Sequence, residues 1–160
     1  MAHFEDLSEY VYLESSARPG TLNVGWLGAG HDVRSAMPSD ELLGVLWEYC
    51  KVSIAQTRGV HTCELCSDEA YHGTRNGEYL LLGTSEIRVF GDGPTIYAAP
   101  TLIYHYVAAH HYDPPAAFWD ALRRDGAPGP AYFERLAGVG LEWSKTKNTR
   151  SECRKPFAPR

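Results

Sequence analysis

Within the six residues His61-Thr62-Cys63-Glu64-Leu65-Cys66 the chain places two thiols and an imidazole, and no other segment limits its own folding so tightly. Two cysteines separated by two residues turn a tight knuckle that presents both sulphurs to one ion. His61 projects to the same side where its approach is extended. Thiolate and imidazole donors in this spacing suit zinc, which in a closed structural site takes four tetrahedral ligands. The chain is therefore predicted to bind one zinc ion through His61, Cys63 and Cys66, with a fourth donor returned by a later element.

His105 and His110 are the best suppliers of that donor. His105 stands among Ile103, Tyr104, Tyr106 and Val107, a context that suits either a ligand or a core histidine satisfied by a backbone hydrogen bond. On an ideal helix His110 points about 140° away from His105, so only one of the two is expected to ligate. His105 is preferred because it lies nearer the helix start. His110 is the alternative ligand or a support for one, and Glu64, between the cysteines, has the same standing.

Of the other cysteines, Cys50 falls on the apolar stripe of a predicted helix and reads as a small buried hydrophobe, while Cys153 sits in the basic C-terminal stretch. The spacing of the four is not that of a secreted disulfide framework. A thioredoxin-like dithiol would need the Cys63/Cys66 pair at a helix N-terminus after a strand, and a polar loop follows instead. The zinc deaminase pattern fails as well, since it wants Glu two residues after the histidine and position 63 is Cys.

The pattern of elements is α+β. Ser39, Asp40 and Glu41 open a helix over about 40–55, with Leu42, Leu43, Leu46, Trp47, Cys50 and Ile54 at spacings of three and four. Thr21 to Leu27 reads as a strand, and Leu7 to Leu13 as a short helix or strand. After a polar loop at Gly73 to Gly77, residues 79–82 and 86–90 are predicted to be two strands about a Gly83 turn, with 95–97 a short third. Pro100 is placed in the first turn of a helix running to His110. Helices at about 115–124 and 129–137 follow. The whole is a small antiparallel sheet with several helices, in which knuckle, hairpin and helix succeed one another in treble-clef-like order.

At 160 residues the chain has the length of one domain. Residues 1–144 are predicted to form it, with the zinc-binding module at about 58–124 and a basic, flexible tail at 145–160. The net charge of −5 divides into about −10 on the body and +5 on that tail. An acidic body repels nucleic-acid phosphates and would speed encounter with a basic protein partner. The start is acidic where a signal peptide would be basic, and no apolar run reaches the ~18 residues that a membrane span requires. A cytoplasmic protein without membrane contact is expected.

The string His61-x-Cys63-x-x-Cys66, Leu82-Gly83-x-x-Glu86-Ile87-x-Val89, Tyr97-x-Ala99-Pro100-x-Leu102-Ile103-x-His105-Tyr106 and His110-x-Tyr112-x-Pro114-Pro115-x-x-Phe118 resembles a family of uncharacterised bacterial proteins. The resemblance covers about a third of the chain and implies that the knuckle and the histidine pair form a unit. It implies no activity. Three functions compete: a structural zinc site in a protein that recognises another macromolecule, a zinc-dependent hydrolase with an open metal position and Glu64 or Glu86 as base, and a nucleic-acid-binding finger using the tail. The first is preferred, because tight thiolate-rich knuckles usually serve structure.

Overall fold

The structure, a computed structural model, describes residues 3–66 and 71–146. The tail beyond Thr146, with Cys153, lies outside the described residues. In chain order the elements are β1 (Thr21–Asn23), α1 (Asp40–Cys50), β2 (Val52–Ser53), β3 (His72–Arg75), β4 (Glu78–Leu81), β5 (Glu86–Phe90), β6 (Ile96–Pro100), α2 (Ile103–His110), α3 (Ala116–Asp125), α4 (Pro130–Gly138) and β7 (Ser144–Lys145). The fold class is α+β.

Helix α1 begins as its sequence dictates. The Ser39 hydroxyl accepts the Leu42 N–H at 3.3 Å, and Asp40 and Glu41 occupy the first turn, where the helix dipole favours acids. It ends at Cys50, shorter than expected, because the β-branched residues that follow enter strand pairing. Val52 and Ser53 pair with Lys145 and Ser144 of β7, and Ile54 exchanges backbone hydrogen bonds with Glu86. Lys145, assigned to the tail by its charge, is thus a strand residue.

The strand pairing differs from expectation. Strands β4 and β5 do not pair across Gly83. Instead β4 pairs back onto β3 and β5 pairs forward onto β6, both antiparallel. The residues read as a polar loop form β3 and its turn. Asn76 and Gly77 both have positive φ, 47° and 79°, the geometry a two-residue hairpin turn needs to match the twist of its strands. The main sheet has the order β1-β6-β5, and β1 runs parallel to β6, so it is mixed rather than purely antiparallel. Pro100 is the last residue of β6 and not the first turn of α2. Residues 7–13 form neither a helix nor a strand, but run along β1, with an isolated bridge between Glu9 and Leu22 and backbone hydrogen bonds from Leu7 to Asn23 and from Tyr10 to Thr21.

Every residue of β5 and β6 is buried. One core joins Leu46 and Trp47 of α1, Ile87 and Val89 of β5, and Phe118 and Leu122 of α3. A smaller cluster packs Tyr10, Trp26 and Ala98 together, with Phe4 and Tyr12 against them. Beside the smaller cluster lies an ion pair. Arg88, with no exposed surface, donates to Glu86 Oε2 at 2.6 Å, and the Tyr10 hydroxyl, 2.9 Å from each carboxylate oxygen, donates to the same group. Among the described residues no helix is long and apolar enough to cross a membrane.

Candidate metal centre

The backbone around Gly83 holds the knuckle in place. The His61 N–H donates to the Gly83 carbonyl at 2.8 Å, and a Cβ on Gly83, whose φ is +85°, would collide with the His61 carbonyl oxygen. Glycine is required there for conformation and for space. The Gly83 N–H donates to the buried Thr101 hydroxyl at 3.2 Å, which donates in turn to the Ser85 carbonyl at 3.1 Å. This chain of bonds ties the knuckle to the β4–β5 junction and to the residues that lead into α2.

Four donor atoms converge where α2 faces the knuckle: the sulphurs of Cys63 and Cys66 and a ring nitrogen each of His105 and His110, all within 4.8 Å of one another. Cys66 Sγ lies 3.2 Å from His105 Nε2 and 3.2 Å from His110 Nε2, and Cys63 Sγ is 3.3 Å from His110 Nε2. Donors about 2.0 to 2.3 Å from a tetrahedral ion stand roughly 3.3 to 3.8 Å apart along the edges. The cluster is close to that size, and it could hold a metal ion.

Burial and charge suit the same task. Cys63 is 4% exposed, while Cys66, His105 and His110 are half-buried. Burial pushes the Cys63 thiol above its ordinary range, and the neighbouring Cys66 adds to this. The Leu65 N–H, 3.3 Å from Cys63 Sγ, opposes the shift by stabilising the thiolate. Burial, and then the facing His110, hold His105 below the usual imidazole range, which favours the neutral ring that a metal needs.

His105 and His110 therefore meet, although their Cα positions diverge around the helix. The angular rule follows the Cβ direction, whereas the donor atom is the distal nitrogen of a ring that reaches well beyond it. The two rings stand 5.1 Å apart between centroids and 76° from coplanar. His111, next in the chain, takes a left-handed conformation with φ 54° and ends the helix.

His61, expected as a ligand, lies outside this group of four. Its backbone is spent on Gly83, and it helps to line a small recess with Tyr12, Trp26, Thr57, Thr84 and Glu86. Glu64 is outside the group as well, with Oε2 near Gly28. Glu86 is committed to Tyr10 and Arg88. Cys50 is fully buried and its thiol faces the Thr101 carbonyl at 3.6 Å, as expected of a core residue. The thiols of Cys63 and Cys66 sit in a turn and not at a helix N-terminus.

The chain belongs to the DUF7919 family, a domain of unknown function, which it matches over residues 2–123. The matched segment contains all four converging residues and ends within α3. No curated protein and no solved structure matches the chain.

Proposed function

We propose that this DUF7919 chain holds one zinc ion through Cys63, Cys66, His105 and His110, and that the ion is structural. The observation that carries the reading is the convergence of four protein donors within 4.8 Å. Two thiolates and two imidazoles are soft enough to favour zinc over magnesium or calcium, and four protein ligands fill a tetrahedral shell with no position left for water. That ligand count favours a structural role over a hydrolytic one. The succession of knuckle, hairpins and helix gives the ion a treble-clef-like setting, in which it staples α2 to a loop that has no regular structure of its own.

A protein built around such a staple works through its surface. We place this chain among proteins that recognise a macromolecule, and the body charge of about −10 selects a basic protein rather than a nucleic acid. A cytoplasmic setting fits, because reduced thiols stay available to metal there. Chelation tests the structural part: a strong chelator should lower the melting temperature and release about one zinc per chain, since the binding free energy of a structural metal is folding free energy. A chain that loses its zinc with no change in melting would not be held together by it.

A further inference from the structure

A cleft of about 360 Å³ opens where the end of β5 meets the end of α3 and the start of α4. Its walls are the rings of Tyr49, Phe90 and Tyr132. They meet edge to face, with 5.3 Å between the centroids of Tyr49 and Tyr132 and 5.6 Å between those of Phe90 and Tyr132. Clefts of roughly 300 to 1,000 Å³ with apolar walls and a few placed polar groups are the usual form of a small-molecule site. The polar groups decide what such a cleft takes.

Several donors here are not taken up by the protein. Helix α4 starts at Gly129 with no side-chain cap, has Pro130 in its first turn and carries no acid there. Ala131 and Tyr132 both line the cleft, and their N–H groups have no partner among the described residues, so the positive end of the helix dipole stands open beside it. Arg135 follows Ala131 by one turn, and helical side chains lean toward the N-terminus, so it reaches back over that end. Its guanidinium lies 4.2 Å from the centroid of the Phe90 ring and has no carboxylate partner among the described residues. Arg124, by contrast, is spent on Asp92 and Asp125, which leaves Asp125, the acid in the lining, already neutralised.

The last donor is buried. Tyr49 is 1% exposed and lines the cleft, yet its hydroxyl has no hydrogen-bond partner among the described residues. The Tyr132 hydroxyl, beside it, donates to the Arg88 carbonyl at 2.7 Å. A buried phenol normally finds such a partner. Burial pushes the Tyr49 phenol up to about 12, and the charges that act on it are those of Asp125, Arg124 and Arg135. It is therefore a donor at neutral pH, placed among the charged groups of the cleft.

We propose that this cleft binds an oxyanion, a carboxylate or phosphate group, attached to a flat apolar body. Arg135, the Tyr49 hydroxyl and the N–H groups of Ala131 and Tyr132 hold the anion, and the rings of Phe90 and Tyr132 receive the body. Helix N-termini and guanidinium groups both favour negative charge, and a cation would leave these donors unmatched. The site is separate from the metal centre, because none of the four converging residues lines it. It stands whether or not the chain holds zinc.

The test titrates wild type, Arg135→Gln and Tyr49→Phe with phenyl phosphate, benzoate and neutral benzamide, followed by calorimetry and by amide NMR shifts. Phenyl phosphate or benzoate should bind one to one and shift the Ala131 and Tyr132 resonances, and the tighter of the two identifies the anionic group. Benzamide should leave both resonances in place. R135Q should bind the preferred anion about 10-fold more weakly, as expected for a lost hydrogen bond to a charged group. Y49F should bind it about 5-fold more weakly and melt at the wild-type temperature, because its hydroxyl has no partner to lose. The proposal is overturned if neither anion shifts those resonances, if benzamide binds as tightly as the anions, or if R135Q keeps the wild-type affinity. A Y49F chain that melts well below wild type would also overturn it, since the hydroxyl would then already have a partner.

Discussion

His105 and His110 stand five residues apart on one helix and bring their Nε2 atoms to the same sulphur, each 3.2 Å from Cys66 Sγ. That shared approach makes the helix end a clamp, closed from the other side by Cys63 at 3.3 Å from His110. Removing either imidazole opens the clamp. His105→Ala and His110→Ala should each weaken zinc binding by more than the ~10 to 100-fold typical of a residue that only supports a ligand, and each should lower the melting temperature of the loaded protein. His61→Ala should keep about one zinc per chain, because its ring lies outside the converging group. Zinc titrations of the three variants separate the cases. Loss of metal in His61→Ala with retention in His110→Ala would exchange the two roles.

Metal uptake should release protons in a number set by the ligands. The Cys63 thiol is held above its ordinary range by burial, so at neutral pH it is protonated without metal and must lose its proton on binding. His105 is held below the imidazole range by burial and by His110, so it is neutral at pH 7 and releases almost nothing. At least about one proton per zinc is expected at pH 7, from the Cys63 thiol, and affinity should fall as pH falls because protons compete for the sulphur. Calorimetry in buffers of differing ionisation enthalpy counts them. A count near zero would mean that Cys63 is not a ligand.

The buried pair beneath the sheet carries a separate expectation. Arg88 has no exposed surface and Glu86 is 3% exposed, so a neutral residue at 86 would leave the guanidinium charged in the core. Glu86→Gln should cost about 3 to 5 kcal/mol of stability, whereas joint replacement by Leu at 86 and Met at 88 should cost far less. Burial raises the Glu86 carboxyl above its ordinary value, although Arg88 pulls it back. The folded state therefore holds that proton more tightly than the unfolded chain, and the group's contribution to stability declines as pH rises from the ordinary carboxylate value to the raised one. Denaturant unfolding of the single and double variants measures the pair. Equal losses in both would show that the charges do not compensate one another.

The α+β class, the knuckle, α1 and the three later helices were legible because each rests on a local signal: a cap, a spacing of three and four, or thiols two apart. The strand partners were not. Leu80, Leu82, Ile87 and Val89 are all apolar, and periodicity alone does not say whether β4 turns back or forward. The Asn76-Gly77 turn held that information, but the polar residues around it masked β3. Of the four converging residues, the thiols and His105 were picked out by spacing and context, while His110 was set second by an angle measured at Cβ rather than at the ring tip. Spacing grouped His61 with the thiols, whereas the structure leaves its ring outside the four converging donors.

Elemental analysis of the purified protein, joined to X-ray absorption at the zinc edge, bears most directly on the central claim. About one zinc per chain is expected, in a shell of two sulphurs near 2.3 Å and two nitrogens near 2.0 to 2.1 Å with no oxygen. A protein purified without metal that takes up none from zinc-containing buffer would contradict the claim outright. A zinc shell containing a water oxygen in place of one imidazole would contradict its structural half, leaving an open position at which a hydrolytic reaction could occur.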